Sequence, residues 1–592
     1  MRIILEIIEL DYMNVKVKKA IWAVFLVLVT VLIGLAFIIV RTGFLSDKPA
    51  VSEKIGLPTS EKISTIVVPH FNTFQTERRD FLKKISGEVS PKKIVVVSVN
   101  HYGLGEKDFL TTQKSWDFSV VDPKINTELF DSLIKSGQVG ADETVFENEH
   151  GIKNVLPDLA EYFPESSFLP VIVKETALRE KTKEFSGLLY SECPDCLLVS
   201  SIDFSHYNPN SLAQIHDVMS LSALNSLDEE KAWTAETDSP QALLLTLLWA
   251  GKRNTQKFNL ELNSNTGEKA KNDDIETTSV ILGYFSSGEK SQFGKKTTFV
   301  IAGDAMFDRF VYHSFKSKGL EDIFKKFGPR VFAGADLALV NLEGPISSGP
   351  IIDDISPDNL IFNFPSKTPD ALKFAKIKAV SLANNHTLNA GAQGFSTTQD
   401  ILRNNSILFA GHQSQIGEQS VLRVEAEIPL SIITVNSLEG SNGVGGLVEK
   451  EKSAGRFVLV FPHWGNEYQK VHSPAQQKLA RSWIDSGADF IVGSHPHVVQ
   501  DFEIYKSRPI VYSLGNFVFD QGFSRETQEG LILAGIISDK ELQLTFLPTE
   551  EISIRPQLQQ GDKKTKNIAE ILDINSQNGF AKLSSDTIKI NR

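Results

Sequence analysis

The sequence predicts an α/β protein built of two successive domains, and three observations carry that expectation. Apolar runs of strand length recur and end at Gly, Pro or Asn, as buried strands do. Helical patterns separate these runs in both halves of the chain, the alternation that builds sheets with crossover helices. Polar side chains of ligand type directly follow many of the runs, where the carboxyl ends of α/β strands open on a shared crevice.

Length and composition agree. At 592 residues the chain exceeds one ordinary core. An apolar fraction of 41% and a charged fraction of 23% set aside a disordered chain. A net charge of −12 and the lack of a long basic run exclude a nucleic-acid footprint.

Residues 21–40 are apolar apart from Thr30 and carry no charge, which is long enough to span a bilayer core. Lys16, Lys18 and Lys19 precede them and only Arg41 follows closely, so residues 1–20 are expected in the cytoplasm and the rest outside. The exit Val40-Arg41-Thr42-Gly43 is a poor cleavage site. A single-pass anchor in the cell membrane is therefore expected, with the residues before Met13 dispensable. Residues 41–62, with Pro49 and Pro58, read as a linker. A first domain over 63–285 follows, then a linker over 286–296 with Gly288, Gly294 and three lysines. The second domain is placed at 297–554 and a polar tail at 555–592, with one weak helical pattern near 568–574. Cys193 and Cys196 are the only two cysteines. One C-x-x-C pair cannot fill a zinc site, and it sits between a helix and a strand. That position favours a local disulfide or an unpaired surface turn over a thioredoxin-like redox pair.

The chemistry concentrates in the second domain. The run 298–302 leads into Gly303-Asp304-Ala305-Met306, and 336–340 into Asn341-Leu342-Glu343. The run 379–383 leads into Asn384-Asn385-His386, 457–461 into Pro462-His463-Trp464-Gly465, and 490–492 into Gly493-Ser494-His495-Pro496-His497. A lone histidine is ordinarily a satisfied core or surface residue. Gly-x-His-x-His behind a strand, with carboxylates and amides at neighbouring strand ends, is instead a metal-ligand inventory. Two cations a few ångströms apart need a bridging carboxylate, and together they activate water and clamp phosphate oxygens.

With His463-Trp464-Gly465-Asn466-Glu467-Tyr468 and Tyr512-Ser513-Leu514-Gly515-Asn516-Phe517, these motifs resemble the CapA family. This is the bacterial capsule or poly-γ-glutamate synthesis family, whose members are similar to calcineurin-like metallophosphoesterases. The resemblance implies a four-layer α/β/β/α sandwich with a dinuclear site at the strand ends. It implies Asp304 on the first metal, Glu343 bridging, Asn385, His463 and His495 on the second, and His497 completing the first. His386 would face the substrate as acid or phosphate contact, and Asp304 and His386 would be the catalytic pair. The ions would be divalent Mn, Fe or Zn. One departure stands out: metallophosphoesterases begin Asp-x-His, whereas the third residue here is Met306. A thioether is a poor ligand for a hard cation, which leaves the first metal fewer protein ligands. Asn516 reads as a turn cap, and Trp464 and Tyr468 as either core aromatics or groove walls.

The same strand-end logic applies earlier. The run 66–68 ends in Pro69-His70, 94–97 in Ser98-Val99-Asn100-His101, and 197–201 in Asp203-Phe204-Ser205-His206-Tyr207. Three histidines at three strand ends pattern a small metal pocket. With Glu149-His150-Gly151-Ile152 and Ser279-Val280-Ile281-Leu282-Gly283-Tyr284, this stretch resembles the Memo family, in bacteria the AmmeMemoRadiSam system protein B. The likeness implies a fold similar to class III extradiol dioxygenases, with His70, His101 and His206 at the pocket and Asp203 as outer or acid–base partner. The departures are Phe71-Asn72-Thr73-Phe74 in place of a Gly/Tyr-rich stretch, Gly151 and Lys153 in place of Ser and Glu, and no cysteine near the end of the domain.

The function expected is metal-assisted hydrolysis or transfer on an envelope polymer or phosphoester by a membrane-anchored protein. Two alternatives remain open. One is a non-enzymatic binding or export factor for an anionic polymer, which Met306 favours. The other is metal redox chemistry centred on the Memo-like domain.

Overall fold

A computed structural model describes residues 62–114, 122–273, 275–291, 293–328, 330–347, 356, 359–573 and 581–592. Residues 61–592 form one compact unit.

The first half is organised around Ser167–Val173, Lys93–Val99, Leu197–Ser201 and Ile63–Val68, which lie side by side in that order and run parallel. Their residues are buried at almost every position, which is why they read as continuous β-branched runs rather than alternating ones. Thr277–Ser286 adds an antiparallel strand beside Ile63–Val68, and Lys257–Asn265 pairs with it in turn. Helices Arg179–Glu192 and Pro240–Lys252 cover one face through Phe185, Leu189, Leu243, Leu247 and Trp249. The second of these starts where the sequence signals it, with Ser239 capping the Ala242 N–H and proline in its first turn.

The second half holds two sheets. The larger has ten strands, with Leu408–Ala410, Ala379–Ser381, Leu337–Leu342, Lys296–Ala305 and Glu529–Ser538 adjacent in that order. The smaller has six, with Phe457–His463 between Leu430–Asn436 and Phe490–Val492. Strand alternation decides which way each face looks. Phe299, Ile301, Leu337 and Leu339 pack against Ile432, Leu459, Phe461 and Val492 in a core shared by the two sheets. Val300, Ala302, Ala338 and Val340 point the other way, into a cluster that includes Val311, Leu372 and Leu402 from three helices. On the far side of the smaller sheet, Val458, Val460 and Ile491 pack with Val448, Ala480 and Trp483 of two further helices.

One helix serves both halves. Asn210–Ser226 is buried nearly all round. Leu212 and Ile215 belong to the second half's outer core, while Leu221, Ala223 and Leu224 belong to the first half's core. Ser211 Oγ donates to Asp586 at 2.8 Å, and Ser222 and Lys231 both bond Glu427.

Two expectations change here, and for the cysteines one of two alternatives, the local disulfide, is borne out. Crossing a bilayer takes about 20 apolar residues. The longest described helix, Asn210–Ser226, has 17 residues and carries His216 and Asp217, and no helix among the described residues is long and apolar enough to cross a membrane. A single-pass membrane protein with extracytoplasmic domains is therefore not supported; residues 21–40, on which it rested, lie outside the described residues, as do 1–20 and 41–61. The stretch after Arg555 is no tail. Thr587–Asn591 pairs with Glu541–Ile552, and Ile568, Ile571, Ile588 and Ile590 enter the core between the sheets. Cys193 and Cys196 form a disulfide and are buried rather than on a surface turn.

Candidate metal centres

In the second half, each ligand-type side chain sits where its strand ends. Asp304 lies in Lys296–Ala305, directly opposite Asn341 of Leu337–Leu342, after a register shift between Ile301 and Asp304. Such a bulge re-aims the side chains that follow it. Glu343 is one residue beyond its strand, and His463 is the last residue of Phe457–His463. His495 and His497 follow Phe490–Val492. The first pair of strands belongs to the larger sheet and the second pair to the smaller, so the set assembles only where the sheets meet. Gly303 lets the segment that passes from the smaller sheet into the larger lie close, since a Cβ there would stand 1.9 Å from the carbonyl oxygen of Gly515. His495 and His497 adopt φ of 95° and 58°, a positive-φ backbone that residues other than glycine seldom take.

Two ligand groups result. Asp304, Glu343 and His463 each bring one ligand atom within 4.8 Å of the others, and so do Glu467, His495 and His497. The groups adjoin: the His463 and His495 ring centres are 4.6 Å apart, and His497 Nε2 is 3.5 Å from Glu343 Oε1. Asn341 is the hub, donating to Asp304 Oδ1 at 2.8 Å and lying 3.3 Å from His463 Nδ1. Asn384 in turn donates to Asn341 Oδ1 at 3.2 Å. The Asn385 oxygen is 2.9 Å from His463 Nε2. Asn516 does not cap a turn as expected but opens the short strand Asn516–Val518, opposite Asp304. Its Oδ1 is 2.9 Å from His497 Nδ1, which leaves Nε2 to face Glu343. Half-buried His386 stacks on Phe362 at 4.3 Å, with Nδ1 3.0 Å from Asn389 Oδ1. Met306 is turned away, its thioether packed in the core and accepting the Asp308 N–H at 3.0 Å. Trp464 is core, whereas Tyr468 is exposed with its ring 6.3 Å from His497.

Burial, then Asp304, pushes Glu343 well above the usual carboxylate range. Burial, then His495 and His497, pushes His463 well below the usual imidazole range. Burial, then His497, brings His495 down to about 4. His497 goes the other way: burial opposes its charge, but Glu343 and Asp304 hold it up at about 9. Glu343 Oε1 and His495 Nδ1 are buried without a hydrogen-bond partner. Adjacent buried carboxylates, unpartnered donor atoms and oxygen–nitrogen ligands together fit a divalent cation.

The first half gathers a second constellation. His70, His101 and Asp203 each stand two residues beyond adjacent parallel strands. His70, His101 and His150 bring ligand atoms within 4.8 Å, as do His70, Asp203 and Asp238. His70 Nε2 is 3.2 Å from both Asp203 Oδ2 and Asp238 Oδ2. Glu149 Oε1 is 2.5 Å from His101 Nδ1 and accepts the Gly151 N–H at 3.1 Å, so this residue both caps the short helix and orients a ligand. Burial, then His101 and His150, pushes His70 well down, and burial, then Asp203, pushes Asp238 well up. The third histidine is His150, not His206, whose backbone N–H donates to Glu236 at 2.9 Å. Sequence reasoning gave no role to Asp238, on a loop, or to His150, at a helix start, because neither follows a strand. Glu149 beside His150 was the available signal.

Residues 298–442 and 439–521 match the family described as bacterial capsule synthesis protein PGA_cap, and residues 48–243 match the family described as Memo-like protein. The ligands of the second half's centre all fall within the former match, and those of the first half's centre within the latter. The chain is similar to the capsule biosynthesis protein CapA of Bacillus anthracis, 28% identical over 327 residues that cover 51% of this chain and 76% of that one. It is also similar to the PGA biosynthesis protein CapA of Bacillus subtilis (strain 168), 28% identical over 309 residues, 49% and 73% of the two chains. A MEMO1 family protein of Aquifex aeolicus (strain VF5) is 29% identical over 185 residues, 30% of this chain and 68% of its own.

Proposed function

We propose, from the premise that this chain joins a Memo-like half to a CapA-type capsule-synthesis half, that the second half is a metal-dependent phosphoester hydrolase or transferase. Its substrate would be a phosphoester met in making an anionic polymer such as poly-γ-glutamate. The carrying observation is a pair of buried ligand-type atoms that make no hydrogen bond: Glu343 Oε1, which faces His497 Nε2 at 3.5 Å, and His495 Nδ1. They lie in a crevice that also gathers Asp304, Asn385, His463 and His497. These six residues would hold divalent Mn, Fe or Zn, which when bound supplies an activated water and neutralises phosphate oxygens. The chain's own groups would do the positioning. Asn341 keeps the two carboxylates and His463 in register, and Asn516 aims His497. His386, with Nδ1 3.0 Å from Asn389 Oδ1 and held below the usual imidazole range by burial, would meet the substrate neutral and take up at Nε2 the proton of the attacking water.

The test uses the full chain, supplied with Mn²⁺ or Zn²⁺, and bis-p-nitrophenyl phosphate. Hydrolysis should require metal and fall at least about 100-fold in Glu343→Ala. In His386→Ala it should fall with metal content unchanged. If the metal-loaded wild type leaves the ester intact yet binds poly-γ-glutamate, the polymer-binding reading replaces this one.

A second reading concerns the first half. Three imidazoles beside two carboxylates suit a redox-active iron. The EPR signal of the Fe(II) protein treated with nitric oxide should be lost in His150→Ala and kept in His206→Ala; the reverse pattern sinks this ligand set.

A further inference from the structure

We infer that Glu467 is a metal ligand that makes good the one missing at Met306. With His495 and His497 it forms a second ion site beside that of Asp304, Glu343 and His463. This rests on the metal-dependent reading of the crevice and adds to it a residue and a stoichiometry.

The turn after Phe457–His463 is built to carry Glu467 inward. On one side, Trp464 is buried and its Nε1 donates to the Tyr512 carbonyl at 2.9 Å. On the other, the Tyr468 N–H donates to the Pro496 carbonyl at 2.8 Å, which ties the turn to the loop bearing His495 and His497. Between these anchors Gly465 takes φ of 90°, where a Cβ would lie 2.6 Å from the Gln476 side chain. Glu467 is thereby held over the two histidines, with one ligand atom of each residue within 4.8 Å of the others.

An exposed carboxylate near histidines is common and proves little alone. Here the histidines supply the independent sign. His495 is only 5% exposed, and its Nδ1 has no hydrogen-bond partner. His497 has Nδ1 committed to Asn516, so Nε2 is the nitrogen left to ligate, 3.5 Å from the unpartnered Glu343 Oε1. Two imidazoles and a carboxylate are an ordinary set for a borderline divalent ion, and Glu343 then lies between the two sites as the shared carboxylate. Met306 cannot take this place, because its side chain is committed to the core. Glu467 is the ligand on the solvent side, so the ion it helps hold is the more exchangeable of the two.

Metal per chain is measured by elemental analysis after equilibration of the full-length protein with Mn²⁺ and by Mn²⁺ titration followed by EPR. Counted in a His150→Ala background, which removes the pocket of the first half, the otherwise wild-type chain should hold two ions. Glu467→Gln should hold one, with the outer affinity lowered at least about 100-fold and the melting temperature of the metal-free protein unchanged, since Glu467 is on the surface. Glu467→Asp should recover part of the loss. If Glu467→Gln keeps two ions at wild-type affinity, or both proteins hold one, Glu467 is no ligand while the metal-dependent reading stands. If wild type holds none, both fall together.

Discussion

The pocket of the first half and the crevice of the second both begin at carboxyl ends of adjacent parallel strands, but they brace their ligands differently. In the pocket, charged groups brace one another: Glu149 holds His101, and Asp203 with Asp238 holds His70. In the crevice the bracing is done by neutral amides. Asn341 holds Asp304, Asn384 holds Asn341, and Asn516 holds His497. Asp304 and Glu343 also face an imidazole, His497, at 3.4 and 3.5 Å, but amides supply the hydrogen bonds that aim the crevice's ligands, whereas carboxylates supply them in the pocket. The crevice also depends on two sheets meeting, while the pocket needs only one.

That last difference yields the largest expected effect. In Gly303→Ala the new Cβ would strike the backbone of Gly515, which cannot step aside. In Gly151→Ala, at the pocket, it would strike the Ser98 hydroxyl at 2.1 Å, a side-chain atom that can rotate. We expect a loss of about 3 kcal/mol for Gly303→Ala and about 1 kcal/mol for Gly151→Ala in denaturant unfolding. Equal losses would mean that the sheets do not constrain the crevice as argued.

The amide bracing is tested by Asn341→Leu. Removing the hub should lower Mn²⁺ affinity of the crevice by about 10–100-fold and leave the first pocket's metal content unchanged. Calorimetric titration of both proteins decides it, and an unaltered affinity would make Asn341 a bystander.

The smallest effect lies at the joint between the halves. His216 there is 3.0 Å from Ser205 and 3.4 Å from the Val331 carbonyl oxygen, and burial lowers it to about 4. Its neutral form belongs to the folded state, so its full contribution is present above about 6.5 and is lost as pH falls towards 4. Glu236, 3.9 Å away, and neighbouring Asp217 are each pushed up by burial to about 7 and act in the opposite sense. The contrast between wild type and His216→Gln therefore isolates the histidine. Between pH 7 and pH 6, wild type should lose about 0.7 kcal/mol more than the variant. Parallel slopes in urea unfolding would remove His216 from the account.

What was legible in the sequence follows from where side chains sit. Asp304, Glu343, His463, His495 and His497 stood out because each interrupts or directly follows an apolar run, and the structure brings them together. Asn341 hid inside such a run, since an amide in a strand carries no signal of its hydrogen bonds. Glu467 hid four residues past His463, because its position depends on the Trp464 and Tyr468 anchors rather than on a strand end. The last strand was misread because Ile588 and Ile590 are short alternating positions in a polar stretch, and only pairing with Glu541–Ile552 turns them inward.

The shared helix Asn210–Ser226 has a consequence in time as well as in space. Ser211 meets Asp586 across 375 positions of chain, and Leu212 and Ile215 rest in a core made largely of residues translated after them. During synthesis the first half can close its own sheet early. One side of this helix nevertheless stays open to water until the second half has been made.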